Sequence, residues 1–209
     1  MAGFAMNKAL LSLAFALSLA ACGPGASNSA DQGALAGASI GGPFTLTNQD
    51  GQRVTWDSFK GKYRLVYFGY TYCPDVCPVD LQHIMQGFAQ FRKSAPDRAA
   101  KIQPIFISVD PDRDTPDVLK TYVTAFDPAL MGLTGTPDEI AKVAKEFVVI
   151  YNKEKPEGDA GYLVSHSRTP YLFGPDGEPI ALIPVGNDTQ GQDAGGPAAI
   201  AATLDHWVK

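Results

Sequence analysis

The sequence predicts an α/β fold, with a central mixed sheet flanked by helices and an N-terminal hairpin, from three observations. Residues 63–70 (YRLVYFGY) and 102–109 (IQPIFISV) are nearly continuous apolar runs, which is typical of strands buried on both faces. Between them, residues 81–88 place apolar side chains at i, i+3, i+4 and i+7, the spacing of an amphipathic helix. The chain also has 209 residues, 45% of them hydrophobic and 19% charged, which suits one globular domain.

Local signals justify the elements in chain order. A hairpin comes first, because FTLT and RVTW flank Asp50 and Gly51, a dipeptide that favours tight turns. The buried strand 63–70, the helix that contains residues 81–88 and the buried strand 102–109 follow. Strands and helices that alternate in this way predict a layered α/β domain.

Two threonines predict the starts of the next two helices. Thr115 and Thr136 each precede a proline and an aspartate, the pattern of an N-cap followed by proline in the first helical position. Glu139 lies three residues after Thr136 and completes a capping box. Further strands are predicted in VVIYN, TPYLFG and EPIALIPV, with a turn at residues 175–177, and a final helix is predicted in GPAAIAATLDHWVK.

The N-terminus predicts export. Lys8 precedes a 12-residue apolar run that is shorter than a typical membrane span. The run ends in LAAC, which resembles the bacterial lipoprotein box and implies that Cys22 carries lipid and becomes the mature N-terminus. The alternative is an ordinary secretory peptide with an incidental cysteine. Both alternatives predict that the domain is exported to a space where disulfides persist. If Cys22 carries lipid, the domain is also anchored to a bacterial membrane and faces the periplasm or extracytoplasmic space.

Composition divides the chain into three parts. Residues 1–22 form the predicted lipoprotein signal peptide. Residues 23–42 are rich in glycine, alanine and serine and nearly uncharged, which predicts a flexible tether. Residues 43–209 hold the strand and helix patterns and form the predicted domain. The formal net charge is −5 and no block of lysine or arginine occurs, so no nucleic-acid partner is predicted.

With Cys22 assigned to lipid, Cys73 and Cys77 are the remaining thiols, and they allow three interpretations. A disulfide between them would close a very short loop and stabilise the fold little, which argues against a purely structural staple. Pro78 fits the first helical position and places Cys77 at the N-cap of the predicted helix. The helix dipole there lowers thiol pKa values and favours thiolates, which are both redox nucleophiles and soft metal ligands. A redox pair and a metal site therefore both remain open.

The three histidines differ in their predicted settings. His83 lies off the apolar stripe of its helix and is interpreted as a solvated surface residue. His206 lies near the end of the last helix, where an imidazolium complements the helix dipole. His166 is predicted in a loop that enters a strand opened by Pro170, and functional loops gather at one end of such sheets. His166 is thus either a third ligand beside the cysteine loop or a hydrogen-bonded loop histidine.

Four segments occur in this order: TYCPDVCPVDL, FISVDPDRDTPDVLKTYVTAF, LMGLTGT and VSHSRTPYLFGPDG. Together they resemble the Sco/SenC family of copper-binding, thioredoxin-like assembly factors, over a range of residues 43–184. The resemblance implies a thioredoxin-like fold and a site in which Cys73, Cys77 and His166 bind copper, as Cu(I), Cu(II) or both. It also implies a metallochaperone that assists assembly of the dinuclear copper centre of a haem–copper (cytochrome c) oxidase, whose copper-site subunit would be its partner. Family members often carry an acidic residue before this histidine, where this chain has Ser165.

The donor chemistry agrees with copper and leaves a second function open. Two thiolates and one imidazole form a soft set that suits Cu(I) and also accepts Cu(II) or zinc. Structural zinc would need a fourth protein ligand, which the nearby sequence does not offer. The alternative is an enzyme, a thiol-disulfide oxidoreductase, in which Cys73 and Cys77 are a redox-active pair that reduces the cysteines of a copper-site target. Copper retained by the protein would favour the chaperone, whereas turnover that does not depend on metal would favour the reductase. Other copper carriers or thiol reductants are predicted as further partners.

Overall fold

The computed structural model describes residues 33–155, 161–186 and 194–209. The predicted signal peptide, with Cys22, and the first ten residues of the predicted tether lie outside these ranges. Within the described ranges, no helix is both long enough and apolar enough to span a membrane.

Strands and helices alternate along the described chain, as the sequence predicts. The strands are β1 (Thr45–Asn48), β2 (Arg53–Thr55), β3 (Tyr63–Gly69), β4 (Ile102–Ser108), β5 (Met131–Thr134), β6 (Tyr151–Lys153), β7 (Val164–His166), β8 (Tyr171–Phe173) and β9 (Pro179–Leu182). The helices are α1 (Val76–Ser94), α2 (Pro96–Ala99), α3 (Pro116–Thr124), α4 (Pro137–Glu146) and α5 (Pro197–Trp207), and a 3₁₀ turn covers Trp56–Phe59.

The central sheet of the described residues is mixed and has the strand order β2-β1-β5-β4-β3-β8-β9. Strands β3, β4 and β5 pair in parallel, whereas the two outer pairs on each side are antiparallel. Strands β6 and β7 form a separate two-stranded antiparallel sheet. The predicted α/β class, mixed sheet and N-terminal hairpin are therefore confirmed.

Helices cover both faces of the central sheet. Every residue of β3 is buried, because its alternate side chains enter two different cores. Val66 and Phe68 pack on one face with α4 and the 3₁₀ turn. Leu65 and Tyr67 pack on the other face with α1, α3 and α5. This two-sided burial explains why the strand is a continuous apolar run in the sequence.

The predicted helix caps are confirmed, and one strand prediction is displaced. The Thr115 hydroxyl accepts a hydrogen bond from the Val118 amide, and Thr136 and Glu139 form the capping box. The strand predicted in VVIYN begins only at Tyr151, because the chain first leaves α4 through a turn in which Val148 adopts a φ of 55°. A β-branched residue in this left-handed region is unusual and excludes a regular strand there.

The prediction of a flexible tether is wrong for residues 33–42, which pack against the domain. Leu35 is only 8% exposed and belongs to the core cluster on the α4 face. Its amide donates to the Ile180 carbonyl at 3.1 Å, and the Gly41 amide donates to the Glu146 carbonyl at 2.9 Å. Ile40 also packs against this cluster. Two large apolar side chains in a segment of small residues help to hold it, which an average over composition conceals.

Replacing Leu35 tests whether this segment belongs to the fold. We expect Leu35→Ala to lower the free energy of unfolding by about 2 kcal/mol, since it removes a buried side chain and leaves a cavity. Ser39→Ala, at an exposed position of the same segment, is the matched control and should change little. Chemical denaturation of the two variants measures the difference; equal stability would mean that the segment contributes nothing to the fold.

Candidate metal centre

The cysteine loop lies at the carboxyl end of β3, beside the end of β4. Gly69 and Ser108 are the last residues of these strands and are partners in the parallel register. A side chain at Gly69 would approach the Phe106 ring to 2.8 Å and the Cys77 sulfur to 3.4 Å, so the loop can pack here only because residue 69 is glycine. Functional groups of open α/β sheets gather at this end of the strands, and the cysteines follow that rule.

Helix α1 begins earlier than the sequence suggests. It starts at Val76 after the N-cap residue Asp75, so the prediction that Cys77 is the N-cap and Pro78 the first helical residue is wrong. Proline is tolerated two residues further in, at the third helical position, because amides of the whole first turn lack acceptors within the helix. The Cys77 amide instead donates to the Cys73 sulfur at 3.4 Å. The Cys73 sulfur therefore caps one of the free amides in the first turn of α1.

His166 reaches the cysteines from a strand, not from the loop that the sequence predicts. It is the last residue of β7 and pairs with Tyr151 of β6. Its Nε2 atom lies 3.0 Å from the Cys77 sulfur, across 89 residues of chain. Its Nδ1 atom lies 2.9 Å from the Ser167 carbonyl, which can only accept, so Nδ1 carries the proton. The lone pair of Nε2 thus points at the thiol.

These three side chains form a compact donor set. One ligand atom from each of Cys73, Cys77 and His166 lies within 4.8 Å of the others, and they are the one such group in the part of the chain that the structure describes. Both cysteines are free thiols. A ligating histidine commonly donates its second ring N–H to a carbonyl, as His166 does to Ser167. The donor types and their orientation therefore fit a soft metal ion.

Burial, rather than the helix dipole, sets the protonation of the site. The Cys77 side chain is fully buried, and this burial raises the pKa of its thiol. The expectation that the helix N-terminus lowers the cysteine pKa values is wrong for Cys77, because a dipole effect of about 0.3–1 kcal/mol is outweighed by desolvation of the anion. Burial also lowers the pKa of His166. Without metal, a protonated thiol therefore faces a neutral imidazole near neutral pH.

Two tyrosines cover part of the imidazole. The rings of Tyr67 and Tyr70 meet the His166 ring edge to face, with centroids 6.4 and 6.0 Å away. Both tyrosines and Cys77 are buried, whereas Cys73 and His166 are each half-buried. Solvent therefore reaches the site at Cys73 and His166, and not at Cys77.

Two buried carboxylates in the segment DPDRD were not expected to shape the site. The sequence suggests only that this segment ends a strand and caps the next helix. Asp114 is fully buried and accepts hydrogen bonds from the Thr71 amide at 3.0 Å, the Thr71 hydroxyl at 2.6 Å and the Ser108 hydroxyl at 2.5 Å. These bonds fix the loop between β3 and the cysteines. The feature of the sequence that indicates this role is a dense run of acidic residues directly after a buried strand.

The other carboxylate, Asp110, holds the sheet that carries His166. It accepts from the Tyr162 hydroxyl at 2.6 Å and from Arg113 Nε at 2.5 Å. Arg113 also donates to the Tyr162 carbonyl at 2.9 Å, and its guanidinium lies 3.8 Å from the centre of the Tyr162 ring. Tyr162 lies two residues before β7, so this cluster ties the β4–α3 turn to the strand of His166.

Ser165 contacts a carboxylate, that of Glu154. In the family that the sequence resembles, an acidic residue is common at the position of Ser165. The Ser165 hydroxyl donates to Glu154 at 2.5 Å, from the residue that follows the paired strand β6. An acidic group thus contacts the residue before the histidine, but it comes from the segment that follows β6.

The other two histidines lie apart from the cysteines. His206 is exposed in the last turn of α5, as predicted, with its ring centroid 4.4 Å from that of Trp207. His83 is half-buried, so the expectation of a fully solvated residue is only partly right. It borders a surface cavity of about 450 Å³ that Val79 and Arg168 also line.

The Thr169–Pro170 peptide bond, whose isomer the sequence leaves open, is trans, since no cis bond occurs in the described residues.

Comparison with known proteins gives consistent matches over most of the chain. The family model described as SCO1/SenC matches residues 32–195. The human mitochondrial SCO1 homologue is 43% identical over 141 residues, which cover 66% of this chain and 46% of that protein. This chain thus spans about half the length of the curated relatives it matches.

Solved structures match over a larger share of the chain. Copper-bound ScoI of Bradyrhizobium japonicum is 42% identical with a TM-score of 0.69, and the alignment covers 81% of this chain and 99% of that one. The thioredoxin domain of a thiol-disulfide oxidoreductase from Bacteroides vulgatus aligns with a TM-score of 0.54 at 16% identity, over 82% of this chain and 96% of that one. The second likeness concerns the fold alone. The predicted thioredoxin-like fold is confirmed.

Proposed function

This chain belongs to the SCO1/SenC family, and from that premise we propose that it is a copper metallochaperone that assists assembly of the copper centre of a cytochrome c oxidase. Copper is its cargo, and Cys73, Cys77 and His166 are its ligands. The partner is the subunit of the oxidase that receives copper. Copper-bound ScoI, 42% identical, supports the choice of metal.

The observation that carries the proposal is the convergence of two sulfurs and one imidazole nitrogen within 4.8 Å. Thiolate sulfur favours Cu(I), and the added imidazole also accepts Cu(II). Nε2 of His166 is free to bind because Nδ1 donates to the Ser167 carbonyl. The donor set and its orientation therefore suit copper without a change in the histidine tautomer.

The two cysteines differ in access, which suits a protein that gives its metal away. Cys77 is fully buried, whereas Cys73 and His166 are each half-buried. Cys73, in the loop, is the more exposed of the two thiols and is the one that a thiol of a partner can reach first. Exchange of ligands at Cys73 would then let copper pass between proteins without release into water.

Removal of single ligands tests the site. We expect Cys73→Ala, Cys77→Ala and His166→Ala each to abolish stoichiometric copper binding, because two donors cannot hold the ion as tightly as three. His83→Ala and His206→Ala are matched controls that should retain one copper per chain. Metal analysis of the purified full chains measures the outcome, and a His166→Ala variant with the copper affinity and spectrum of the wild type would show that the site is wrongly assigned.

A thiol-disulfide oxidoreductase is the second candidate, and the sulfur geometry favours keeping it. Cys73 and Cys77 are free thiols whose sulfurs lie within 4.8 Å, so a small movement of the loop brings them to bonding distance. Formation of their disulfide would release two electrons to an oxidised target disulfide and transfer two protons with them. The same pair could therefore reduce the cysteines of a copper-site target.

The redox state should control copper binding. Oxidation of Cys73 and Cys77 to a disulfide removes both thiolates, so we expect copper to be lost and to return after reduction. Copper titration of the oxidised and the re-reduced full chain measures the effect. The chaperone would be contradicted by equal affinity in both states, and the reductase would be favoured by turnover of a disulfide substrate that does not change when copper is removed.

We also propose that lipid on Cys22 anchors the chain to a bacterial membrane, with the domain in the periplasm or extracytoplasmic space. Only residues 23–32 separate Cys22 from the packed segment 33–42. Ten residues span at most about 35 Å, so the anchor would keep the cysteine site close to a membrane-bound partner.

Replacing the predicted lipid-bearing cysteine tests the anchor. We expect Cys22→Ser to release the chain from membranes or to block its processing, while copper binding stays at the wild-type level because Cys22 lies outside the ligand set. Membrane fractionation together with copper analysis measures both results. A Cys22→Ser chain that is processed normally and stays fully with the membranes would rule out the lipid anchor.

A further inference from the structure

An ion pair between a buried carboxylate and a half-exposed arginine joins the helix of Cys77 to the segment that follows His166. Arg168 Nε lies 2.9 Å and Arg168 Nη2 2.7 Å from the two carboxylate oxygens of Asp80. Asp80 is three residues after Cys77, about one turn along α1, and Arg168 is two residues after His166. The pair therefore spans the same two elements as the contact between the Cys77 sulfur and His166 Nε2.

We propose that Asp80 and Arg168 are positioning residues of the copper site, which set the separation of Cys77 from His166. This inference rests on the proposed function, since it concerns the same ligands. Neither residue is assigned as a ligand. Their bidentate contact fixes both the distance and the rotation of the two segments, as a single hydrogen bond could not.

The connection matters because β7 is not part of the central sheet. It pairs with β6 in a separate two-stranded sheet, so its backbone gives His166 no hydrogen-bonded link to β3 or α1. Side-chain contacts must place it instead. The cluster of Asp110 and Tyr162 holds the start of this strand, and the pair of Asp80 and Arg168 holds the chain just after its end.

A third group ties the ion pair to the core of the domain. The Tyr67 hydroxyl of β3 donates to Asp80 at 3.0 Å, and the Tyr67 ring packs against His166. The Asp80 carboxylate thus accepts three hydrogen bonds while only 2% of the residue is exposed. A buried carboxylate with this number of fixed donors is a rigid reference point, because moving it leaves several donors without acceptors.

Such a pair is better explained by positioning than by stability. Burying a carboxylate carries a desolvation cost that its ion pair roughly offsets, so buried pairs contribute little net stability. A geometric role is testable separately from stability, because the ligand field of copper responds to sub-ångström changes that an unfolding measurement does not detect.

Neutralising the pair should weaken copper binding. We expect Asp80→Asn and Arg168→Met each to lower the copper affinity of the full chain by about 10–100-fold, the range found when groups that orient metal ligands are removed. The visible and electron paramagnetic resonance spectra of the Cu(II) form should shift as well. Asp80→Glu, which keeps the carboxylate, should recover part of the affinity.

The chain offers a matched control in the pair of Asp127 and Arg92. The Asp127 carboxylate is also held by two guanidinium nitrogens of Arg92, at 2.7 and 3.3 Å. The Arg92 side chain is 44% exposed and that of Asp127 8%, which resembles the 43% of Arg168 and the 2% of Asp80. Asp127→Asn should lower stability as much as Asp80→Asn or more, yet leave copper affinity and spectrum unchanged.

The outcomes separate this inference from the proposed function. If the wild-type chain binds no copper, the proposed function fails. The inference is then decided by the nuclear magnetic resonance signals of the His166 imidazole in the metal-free chain. These signals should shift in Asp80→Asn and not in Asp127→Asn. The inference is overturned if Asp80→Asn keeps wild-type affinity, spectra and imidazole signals, or if Asp127→Asn weakens copper binding equally. If Asp80→Asn does not fold, Arg168→Met and Arg168→Lys, at a half-exposed position, decide in the same way.

Discussion

The parallel pairing of β3 with β4 is the constraint on which the site depends. Seven residues of each strand are in register, so Gly69 and Ser108 end side by side, and the Val109 amide donates to the Gly69 carbonyl at 2.8 Å. The cysteine loop and the acidic turn therefore leave the sheet next to each other. Only in this register can Asp114 accept hydrogen bonds from both Thr71 and Ser108 and fix the loop before the cysteines.

His166 must be brought to this loop from a sheet that is separate from the central one. The chain does this with contacts to a buried carboxylate on each side of β7: Asp110 with Tyr162 before it, and Asp80 with Arg168 after it. Buried charges add little net stability but specify geometry closely. We propose that this site holds a metal and then releases it, and such a site benefits from this arrangement, since its ligands are placed by contacts other than the metal itself.

The sequence predicts local features well and long-range contacts poorly. The apolar runs of β3 and β4, the helical periodicity of α1 and the caps at Thr115 and Thr136 are local features, and the elements that they predict are confirmed. The start of α1 was misplaced because proline fits anywhere in a first helical turn. The pKa direction of Cys77 was wrong because burial, a tertiary property, exceeds the local helix dipole. The contact with His166, 89 residues away, has only a weak signal in the sequence, the predicted place of this histidine before a strand, and the family resemblance is what favours the ligand over a hydrogen-bonded loop histidine.

X-ray absorption at the copper edge of the loaded full chain counts the atoms bound to the metal and therefore tests the proposed ligand set. We expect two sulfur scatterers, from Cys73 and Cys77, and one imidazole, from His166. A first shell without imidazole, or with more than two sulfurs, would contradict it.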